Sequence, residues 1–298
     1  MTLAFGAEIV TRFAPSPTGF LHLGHAHSAL LGHRTAHQAG GRFLLRIEDI
    51  DRMRCKPEFE RAIYDDLAWL GLDWEEPVRR QSDHFPDYAA ALARLESDGL
   101  LYPCFCSRKD IAAAASAPHG NPTGGIPTGE GETVIYPGTC RELDPILAAE
   151  RKAAGAPFAL RLNTGEASRR SGPLAFLEAE PDGSNLREIR AEPEQFGDVV
   201  LGRRDTPASY HLCATLDDHL QGVSLVIRGE DLRPATHLHR LLQAVLGLAS
   251  PQYRHHVLLT NESGTRLSKR DGAMALQALR DLGLSAAAVR KMAGFHEA

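Results

Sequence analysis

The feature that most constrains this chain is a proline-rich loop near its start that leads directly into two histidines. Apolar Ile9 and Val10 precede Arg12-Phe-Ala-Pro-Ser-Pro-Thr-Gly19, and a helix-compatible segment follows from His25 to about His37. Proline fixes φ and biases the preceding residue away from helix. This order predicts a first strand that delivers a loop and a helix N-terminus to a ligand. The unpaired N–H groups of such a helix start favour an anion.

The two histidines stand on either side of Gly24, whose missing side chain lets a flat ring or a phosphate approach the backbone. Alone, this spacing also suits a metal-binding pair or two surface histidines, because the chain contains 14 histidines. Together with the loop before it, His22-Leu23-Gly24-His25 resembles the His-Ile-Gly-His signature of class I aminoacyl-tRNA synthetases. The loop at residues 12–19 resembles the glutamyl branch of that family.

The composition is that of an ordinary globular enzyme. A length of 298 residues favours about two domains, and 43% of the residues are hydrophobic. No run approaches the roughly 18 apolar residues of a membrane span, and Met1 to Ala7 lacks the pattern of a secretory signal, so we expect a cytoplasmic protein. The net charge of −5 does not indicate a nucleic-acid-binding protein. Five cysteines without a signal peptide argue against a disulfide framework.

Two apolar runs end in charged residues that suit an amino-acid substrate. Gly41 to Ile47 is predicted as a strand that ends at Glu48, and Val223 to Ile227 as a strand that ends at Arg228. Sheets of α/β proteins bind ligands at the carboxyl ends of their strands. A carboxylate suits an ammonium group, and an arginine fork suits a carboxylate. The alternative for Arg228 is a surface ion pair with the acidic dipeptide Glu230-Asp231.

Three cysteines predict a metal site that lacks one ligand. Cys104 and Cys106 form a Cys-x-Cys pair, Cys140 follows later, and a closed structural zinc site takes four ligands. By spacing alone His119 is the better fourth ligand, and three reduced cysteines without metal are the alternative. The glutamyl-Q tRNA(Asp) synthetases, short relatives of glutamyl-tRNA synthetase, have a Cys-x-Cys…Tyr-x3-Cys zinc site. The resemblance to that site favours Tyr136.

A basic segment follows the last predicted strand, Val257 to Thr260. The sequence Arg266-Leu-Ser-Lys269-Arg270 resembles the Lys-Met-Ser-Lys-Ser loop of class I synthetases, with arginine in the first lysine position and in the last serine position. Both replacements keep or add positive charge. The resemblance therefore still implies that this loop binds phosphate.

The resemblance to the glutamyl-Q family covers essentially the whole chain. It implies ATP-dependent activation of glutamate without tRNA, then transfer of glutamate to queuosine at the wobble position of tRNA(Asp). The catalytic residues that it implies are His22, His25 and Lys269. The glutamate-binding residues would be Arg12, Phe13, Ala14, Pro15, Ser16, Glu48, Tyr210 and Arg228, with core packing as the alternative for Tyr210. The ATP-binding residues would be His22, Gly24, His25, Arg266, Ser268 and Lys269.

The same resemblance implies one structural Zn²⁺, with Mg²⁺ accompanying the ATP. The zinc ligands would be Cys104, Cys106, Tyr136 and Cys140. The expected partners are L-glutamate, ATP and tRNA(Asp) carrying queuosine, with no membrane, and the chain is expected to be a monomer.

Three other functions stay open on the sequence. A truncated glutamyl-tRNA synthetase would charge the 3′ end of tRNA, although the chain ends soon after Arg270, where a full enzyme carries an anticodon-binding region. A small-molecule ligase of the HxGH superfamily, such as a pantothenate synthetase, is disfavoured by the loop at residues 12–19 and by Arg228. A non-catalytic glutamate- or RNA-binding paralogue is disfavoured by the intact histidine pair and Lys269.

The predicted fold is α/β, a doubly wound parallel sheet of the Rossmann-type class I synthetase catalytic domain. It carries an inserted zinc-bearing segment and a short helical C-terminal tail. The expected divisions are 1–103 for the first half of the catalytic domain, 104–191 for the insert, 192–248 for the second half and 249–298 for the C-terminal segment with the basic loop. Other predicted elements are helices at Pro57 to Leu70, Phe85 to Leu95, Ser107 to about Ala117 and Ala235 to Leu246, and strands at Phe158 to Leu162 and Phe196 to Leu201.

Overall fold

The computed structural model describes residues 8–107, 109–111, 135–203, 207–259 and 274–296. The strands are β1 (Val10–Phe13), β2 (Arg42–Ile47), β3 (Glu75–Arg80), β4 (Leu101–Cys104), β5 (Ala159–Leu162), β6 (Ala175–Ala179), β7 (Arg187–Arg190), β8 (Val200–Arg203), β9 (Leu225–Gly229) and β10 (Gln252–His256). The α-helices are α1 (Leu23–Gln38), α2 (Pro57–Trp69), α3 (Phe85–Ser97), α4 (Pro145–Ala153), α5 (Thr164–Ser171), α6 (Tyr210–Leu220), α7 (Ala235–Val245), α8 (Leu276–Asp281) and α9 (Ala286–Met292).

The principal sheet is parallel and reverses its strand order near the middle. Strands β1, β2 and β3 pair in parallel, as do β9, β10 and β6, and β7 is antiparallel at one edge. The two groups meet where β1 runs beside β9, because the backbone N–H of Ser224 donates to the carbonyl of Val10 at 3.0 Å. Ligands of open α/β sheets bind at the carboxyl ends of the strands where the order reverses. The prediction of an α/β fold with a parallel sheet is confirmed.

Strand β2 illustrates why this sheet is covered on both faces. Phe43, Leu45 and Ile47 join a core cluster with helices α1 and α2 and with residues of α8 and α9. Leu44 joins a second cluster with Tyr253 and other residues of the opposite face. This alternation follows from the period of two along a strand, and burial of both faces is typical of parallel sheets.

The segment between the two halves of the parallel sheet forms a smaller antiparallel sheet. Its strand order is β4-β5-β8, and Cys104 is the last residue of β4. Strands β6 and β7, which also lie within the predicted insert 104–191, pair instead with the principal sheet. The predicted domain boundaries stay predictions.

Several sequence predictions about strands were wrong or incomplete. Among the described residues, the last strand of the parallel sheet is β10, whereas residues 257–259 of the predicted strand are not in a strand and Val257 is 56% exposed. The start of the predicted strand at Phe196 lies in a 3₁₀ helix, and β8 begins only at Val200. Strand β3 was not predicted because its sequence is charged and contains proline, a composition that edge strands tolerate.

Some predictions concern parts of the chain that the structure does not describe. Most of the predicted helix Ser107 to Ala117, His119 and the basic loop with Arg266, Ser268, Lys269 and Arg270 lie outside the described residues. Within the described ranges, none of the helices combines the length and apolar character needed to cross a membrane.

Candidate active site

The two signature histidines form the N-terminal cap of α1. Nδ1 of His22 accepts the backbone N–H of Gly24 at 3.1 Å, and Nδ1 of His25 accepts the backbone N–H of His22 at 3.2 Å. Because each Nδ1 is an acceptor, each neutral imidazole carries its proton on Nε2. The ring centroids lie 3.9 Å apart. The cap therefore orients two Nε2–H donors beside the positive end of the helix dipole.

A cleft of about 440 Å³ opens at the carboxyl ends of β1 and β9, where the strand order reverses. Its walls bring together all of the predicted glutamate-binding residues and the described members of the predicted ATP set. These residues are Arg12, Phe13, Ala14, Pro15, Ser16, His22, Gly24, His25, Glu48, Tyr210 and Arg228. The described residues that the sequence predicted for these sites therefore lie together in the cleft wall, although the sequence did not show the role of each one.

Both ends of the undescribed stretch 260–273 border this cleft. Leu258 and Leu259 line it on one side of the stretch. On the other side, Ala275 forms an antiparallel bridge with His22, and the backbone N–H of Leu276 donates to the carbonyl of Leu21 at 2.8 Å. One flank of the predicted basic loop therefore lines the cleft, and the other flank is bridged to His22.

Arg228 presents a buried guanidinium to the cleft. It is 5% exposed, so the alternative of a surface ion pair does not describe its position. Its Nη2 donates to Thr236 Oγ1 at 2.7 Å, its Nη1 lies 3.5 Å from the Tyr210 hydroxyl and 3.4 Å from His239 Nδ1, and its Nε donates to His255 Nε2 at 3.3 Å.

The histidines around Arg228 are uncharged. Burial lowers the pKa of His239 well below its ordinary value, and the positive charge of Arg228 acts in the same direction. Burial lowers the pKa of His211 and of His255 to about 4, although the hydrogen bond of His255 with Glu178 opposes this shift. Among the described residues, the side-chain partners of Arg228 are therefore all neutral. A buried cation is costly without an anion, so this position suits an anionic ligand.

The opposite wall of the cleft is set by a buried network of two arginines and two carboxylates. Arg12 donates to Asp218 at 2.9 Å, and Arg46 donates to Asp218 at 2.7 Å and to Glu48 at 3.1 Å. Burial raises the pKa of Glu48, although Arg46 and Arg12 oppose the rise. Burial also acts to raise the pKa of Asp218, but its ion pairs with Arg12 and Arg46 outweigh that effect and lower it. The hydrogen bond from Arg46 thereby holds Glu48 at the cleft wall, and a cationic group bound there would favour its ionised form.

Sequence analysis missed the buried residues that support this wall. Asp217 accepts from Arg79 and Gln81, each at 2.8 Å, and from the Tyr88 hydroxyl at 2.9 Å. One signal was present for Arg46, which interrupts an apolar run and lies two positions before Glu48, on the same face of β2. Asp217 and Asp218 had no such signal, since acidic residues near a helix end are usually solvated.

The three predicted cysteine ligands converge beside Tyr136. The sulfur atoms of Cys104, Cys106 and Cys140 lie within 4.8 Å of one another, and those of Cys106 and Cys140 are 3.5 Å apart. The Tyr136 hydroxyl lies 3.8 Å from Cys106 Sγ and accepts the backbone N–H of Cys140 at 2.7 Å. The guanidinium of Arg161 stacks 3.8 Å from the centre of the Tyr136 ring. Three sulfurs and one oxygen at these positions fit the ligand number of a structural zinc site.

Comparison with protein-family models identifies the chain. The model described as "tRNA synthetases class I (E and Q), catalytic domain" matches residues 8–294, which is nearly the whole chain. The chain belongs to the class I tRNA synthetase family. The enzymes of this family are ATP-dependent ligases, so the predicted enzyme class and the resemblance of the histidine signature are confirmed.

Curated relatives and solved structures agree with this membership of the class I synthetases. A protein named glutamyl-Q tRNA(Asp) synthetase from Rhodobacter capsulatus is 50% identical over 289 residues, which cover 96% of this chain and 100% of that protein. One of the same name from Symbiobacterium thermophilum is 42% identical over 287 residues, covering 92% of this chain and 82% of that protein. A glutamate tRNA ligase from Elizabethkingia meningosepticum, solved in complex with its amino acid, superposes with a TM-score of 0.71 at 27% identity. That superposition covers 89% of this chain but only 53% of the ligase.

Proposed function

We propose that this synthetase activates glutamate with ATP in the absence of tRNA and transfers the glutamyl group to queuosine in tRNA(Asp). The observation that carries the glutamate specificity is Arg228, a buried cation whose described side-chain partners are all neutral, placed in the same cleft as the carboxylate of Glu48. A dicarboxylic amino acid supplies an anion for the arginine and an ammonium group for the carboxylate. The names of the Rhodobacter capsulatus and Symbiobacterium thermophilum relatives support the acceptor, and the match covers 100% of the first protein and 82% of the second.

In the first step a carboxylate oxygen of glutamate attacks the α-phosphorus of ATP. A phosphorus–oxygen bond forms to glutamate, the bond to the β-phosphate oxygen breaks, and pyrophosphate leaves. The Nε2–H groups of His22 and His25 and the start of α1 lie where they can stabilise negative charge on the phosphate. Arg12, Glu48, Tyr210 and Arg228 hold the glutamate, and this positioning supplies much of the rate enhancement.

The basic loop completes the ATP site in this proposal. Lys269, with Arg266 and Ser268, would neutralise the departing pyrophosphate. The positions of the loop's flanks support this assignment, because Leu259 lines the cleft and Ala275 is bridged to His22. Mg²⁺ would accompany the ATP phosphates.

In the second step a hydroxyl oxygen of queuosine attacks the activated carbonyl carbon, forming an ester and releasing AMP. A second cavity of about 370 Å³ adjoins the cleft and shares Ser16, Thr18, Glu48 and Tyr210 with it. In this proposal the cavity receives the nucleoside, because it shares Glu48 and Tyr210 with the cleft and does not include the signature histidines in its lining. The enzyme would act in the cytoplasm, where ATP and tRNA are available.

A structural zinc ion is part of the proposal. Cys104, Cys106 and Cys140 would hold it with their sulfur atoms, and Tyr136 with its hydroxyl oxygen. When bound, the ion would tie the end of β4 to the turn at Cys140. The chemistry at the cleft does not use it.

The test measures transfer of labelled glutamate by the purified enzyme with ATP and Mg²⁺. The acceptors are matched tRNA(Asp) with and without queuosine, and tRNA(Glu), each also prepared without its 3′-terminal adenosine. We expect label only on queuosine-containing tRNA(Asp), independent of the terminal adenosine. Glutamate-dependent pyrophosphate exchange without tRNA should accompany it.

The second candidate is 3′-end charging, which the likeness to the glutamate tRNA ligase from Elizabethkingia meningosepticum favours. Label on tRNA(Glu) that disappears with the terminal adenosine would establish that activity and reject transfer to queuosine. An absence of glutamate-dependent exchange both without tRNA and with tRNA(Glu) would reject both functions.

A further inference from the structure

A line of buried polar side chains runs away from Arg228 across three adjacent parallel strands. Arg228 on β9 is the direct register partner of His255 on β10, and β10 pairs with β6, which carries Glu178. The three residues are 5%, 4% and 6% exposed. Glu178 in turn accepts two hydrogen bonds from Nε of Arg233 and one from its Nη2. This arrangement lies behind the cleft wall, and only its Arg228 end lines the cleft.

The hydrogen bonds of His255 require one tautomer. Its Nδ1 contacts the Glu178 carboxylate, which can only accept, so Nδ1 carries the proton. Its Nε2 then has a lone pair, which accepts from Nε of Arg228 at 3.3 Å and lies 3.2 Å from Thr236 Oγ1. The opposite tautomer would set the Nδ1 lone pair against the Glu178 carboxylate and turn the Nε2–H toward the guanidinium, so Nε of Arg228 would lose His255 as its acceptor.

The Glu178 carboxylate is ionised, as an acceptor of the His255 Nδ1–H must be. Burial acts to raise the pKa of Glu178, but the hydrogen bonds from His255 and Arg233 outweigh it and lower the pKa to about 2. Glu178 is therefore ionised at neutral pH while His255 is neutral. A carboxylate that accepts from the second imidazole nitrogen commonly fixes tautomer and ring orientation in protein sites.

We propose that His255 is a positioning residue for substrate recognition: Glu178 fixes its tautomer, and its Nε2 lone pair aims the Arg228 guanidinium at a carboxylate of glutamate. This inference rests on the proposed function, in which Arg228 binds glutamate. The lone pair accepts the Nε–H, so that Nη1 of Arg228 is turned toward Tyr210, which lines the cleft. Thr236, which accepts from Nη2 at 2.7 Å, fixes the rotation of the guanidinium plane.

The experiment compares His255→Leu, His255→Gln and Glu178→Gln by glutamate-dependent pyrophosphate exchange. His255→Leu removes the lone pair, and we expect the KM for glutamate to rise about tenfold or more, with the KM for ATP unchanged. His255→Gln restores an acceptor oxygen near the Nε2 position, and it should recover most of the affinity. Glu178→Gln keeps the shape but removes the charge that fixes the tautomer, and it should raise the KM for glutamate severalfold.

A matched control is Arg254→Gln, next to His255 on the same strand. The Arg254 side chain binds the carbonyl of Pro181 and does not line the cleft. The KM of the Arg254→Gln variant for glutamate should stay within about twofold of the wild-type value. The selectivity for glutamate over glutamine should fall in His255→Leu but not in Arg254→Gln, a readout that a general loss of stability would not move.

The outcomes separate this inference from the proposed function. Exchange by the wild type together with an unchanged KM for glutamate in His255→Leu, or in Glu178→Gln if the leucine variant does not fold, would overturn the positioning role alone. Equal increases in the KM values for glutamate and ATP would also overturn it. No glutamate-dependent exchange by the wild type would instead reject the proposed function itself.

Discussion

Arg46 and Asp218 form an ion pair that is sealed from solvent, with 2.7 Å between the arginine Nη1 and the carboxylate Oδ1. The Arg46 side chain is completely buried and also holds Glu48. Removal of one partner of a buried pair leaves an uncompensated charge. We therefore predict that Arg46→Met lowers the free energy of unfolding by about 3–5 kcal/mol, measured by urea denaturation.

Arg42 on the same strand provides the control for this prediction. Its side chain is 40% exposed and pairs with Glu8 and Glu75 at the surface. Because exposed pairs contribute roughly 0–1 kcal/mol, Arg42→Met should change the free energy of unfolding little. Equal losses in the two variants would show that the burial of Arg46 is not what makes its ion pairs matter.

The histidine cap allows helix capping and catalysis to be separated at His22. Asparagine is among the preferred N-cap residues and can accept the N–H of Gly24, but it lacks the Nε2–H donor. His22→Asn should therefore keep the thermal midpoint close to the wild type while lowering the rate of pyrophosphate exchange about 10²- to 10³-fold. His22→Ala should lose the same activity and about 1 kcal/mol of stability as well. Full exchange activity in His22→Asn would contradict the assignment of the Nε2–H group.

The buried histidines predict that the protein is sensitive to mild acid. The pKa values of His211 and His255 are about 4 in the folded chain, below the 6.5 of an unperturbed histidine. Between those values the unfolded chain binds more protons than the folded chain, so the stability is complete above about pH 6.5 and declines as the pH falls toward 4. At pH 5 each of these two histidines should lower the free energy of unfolding by roughly 1–2 kcal/mol relative to neutral pH.

Urea denaturation between pH 5 and pH 7.5 checks this dependence. The variant His211→Gln cannot take up the extra proton on unfolding, so its stability should decline less than that of the wild type over this range. An identical decline in both proteins would place the acid sensitivity in other groups.

The cysteine cluster predicts one zinc ion per chain. Atomic spectroscopy on the purified protein should find that ratio, and Cys106→Ser should reduce it, because Cys106 Sγ lies 3.5 Å from Cys140 Sγ and 3.8 Å from the Tyr136 hydroxyl. Removal of the metal with a chelator should lower the thermal midpoint. Cys55→Ser is the control, since Cys55 is not part of the cluster, and it should leave the zinc content unchanged.

The sequence predicted the parts of this fold that carry local signals. The proline loop, the histidine pair and the apolar β2 before Glu48 each have a pattern that sterics or burial imposes, and each lies where expected. Strand β10 was misplaced because Gln252–His256 is polar, and its histidines are buried only through contacts with residues far away in sequence. The roles of His255 and Asp218 were not predicted for the same reason, because they depend on partners in other strands and helices.

The bridge between His22 and Ala275 has a consequence for genetic variation in this protein. Leu21 and Leu276 are joined by a backbone hydrogen bond, so codons far apart in the gene encode two segments that meet beside His22 at the cleft. A stop codon between residues 257 and 274 would remove α8, α9 and the backbone partners of Leu21 and His22 while sparing every described strand of the parallel sheet. Because residues of α8 and α9 also belong to the core cluster around β2, such alleles should lose part of their stability together with catalysis, and truncations in this range belong with active-site mutations.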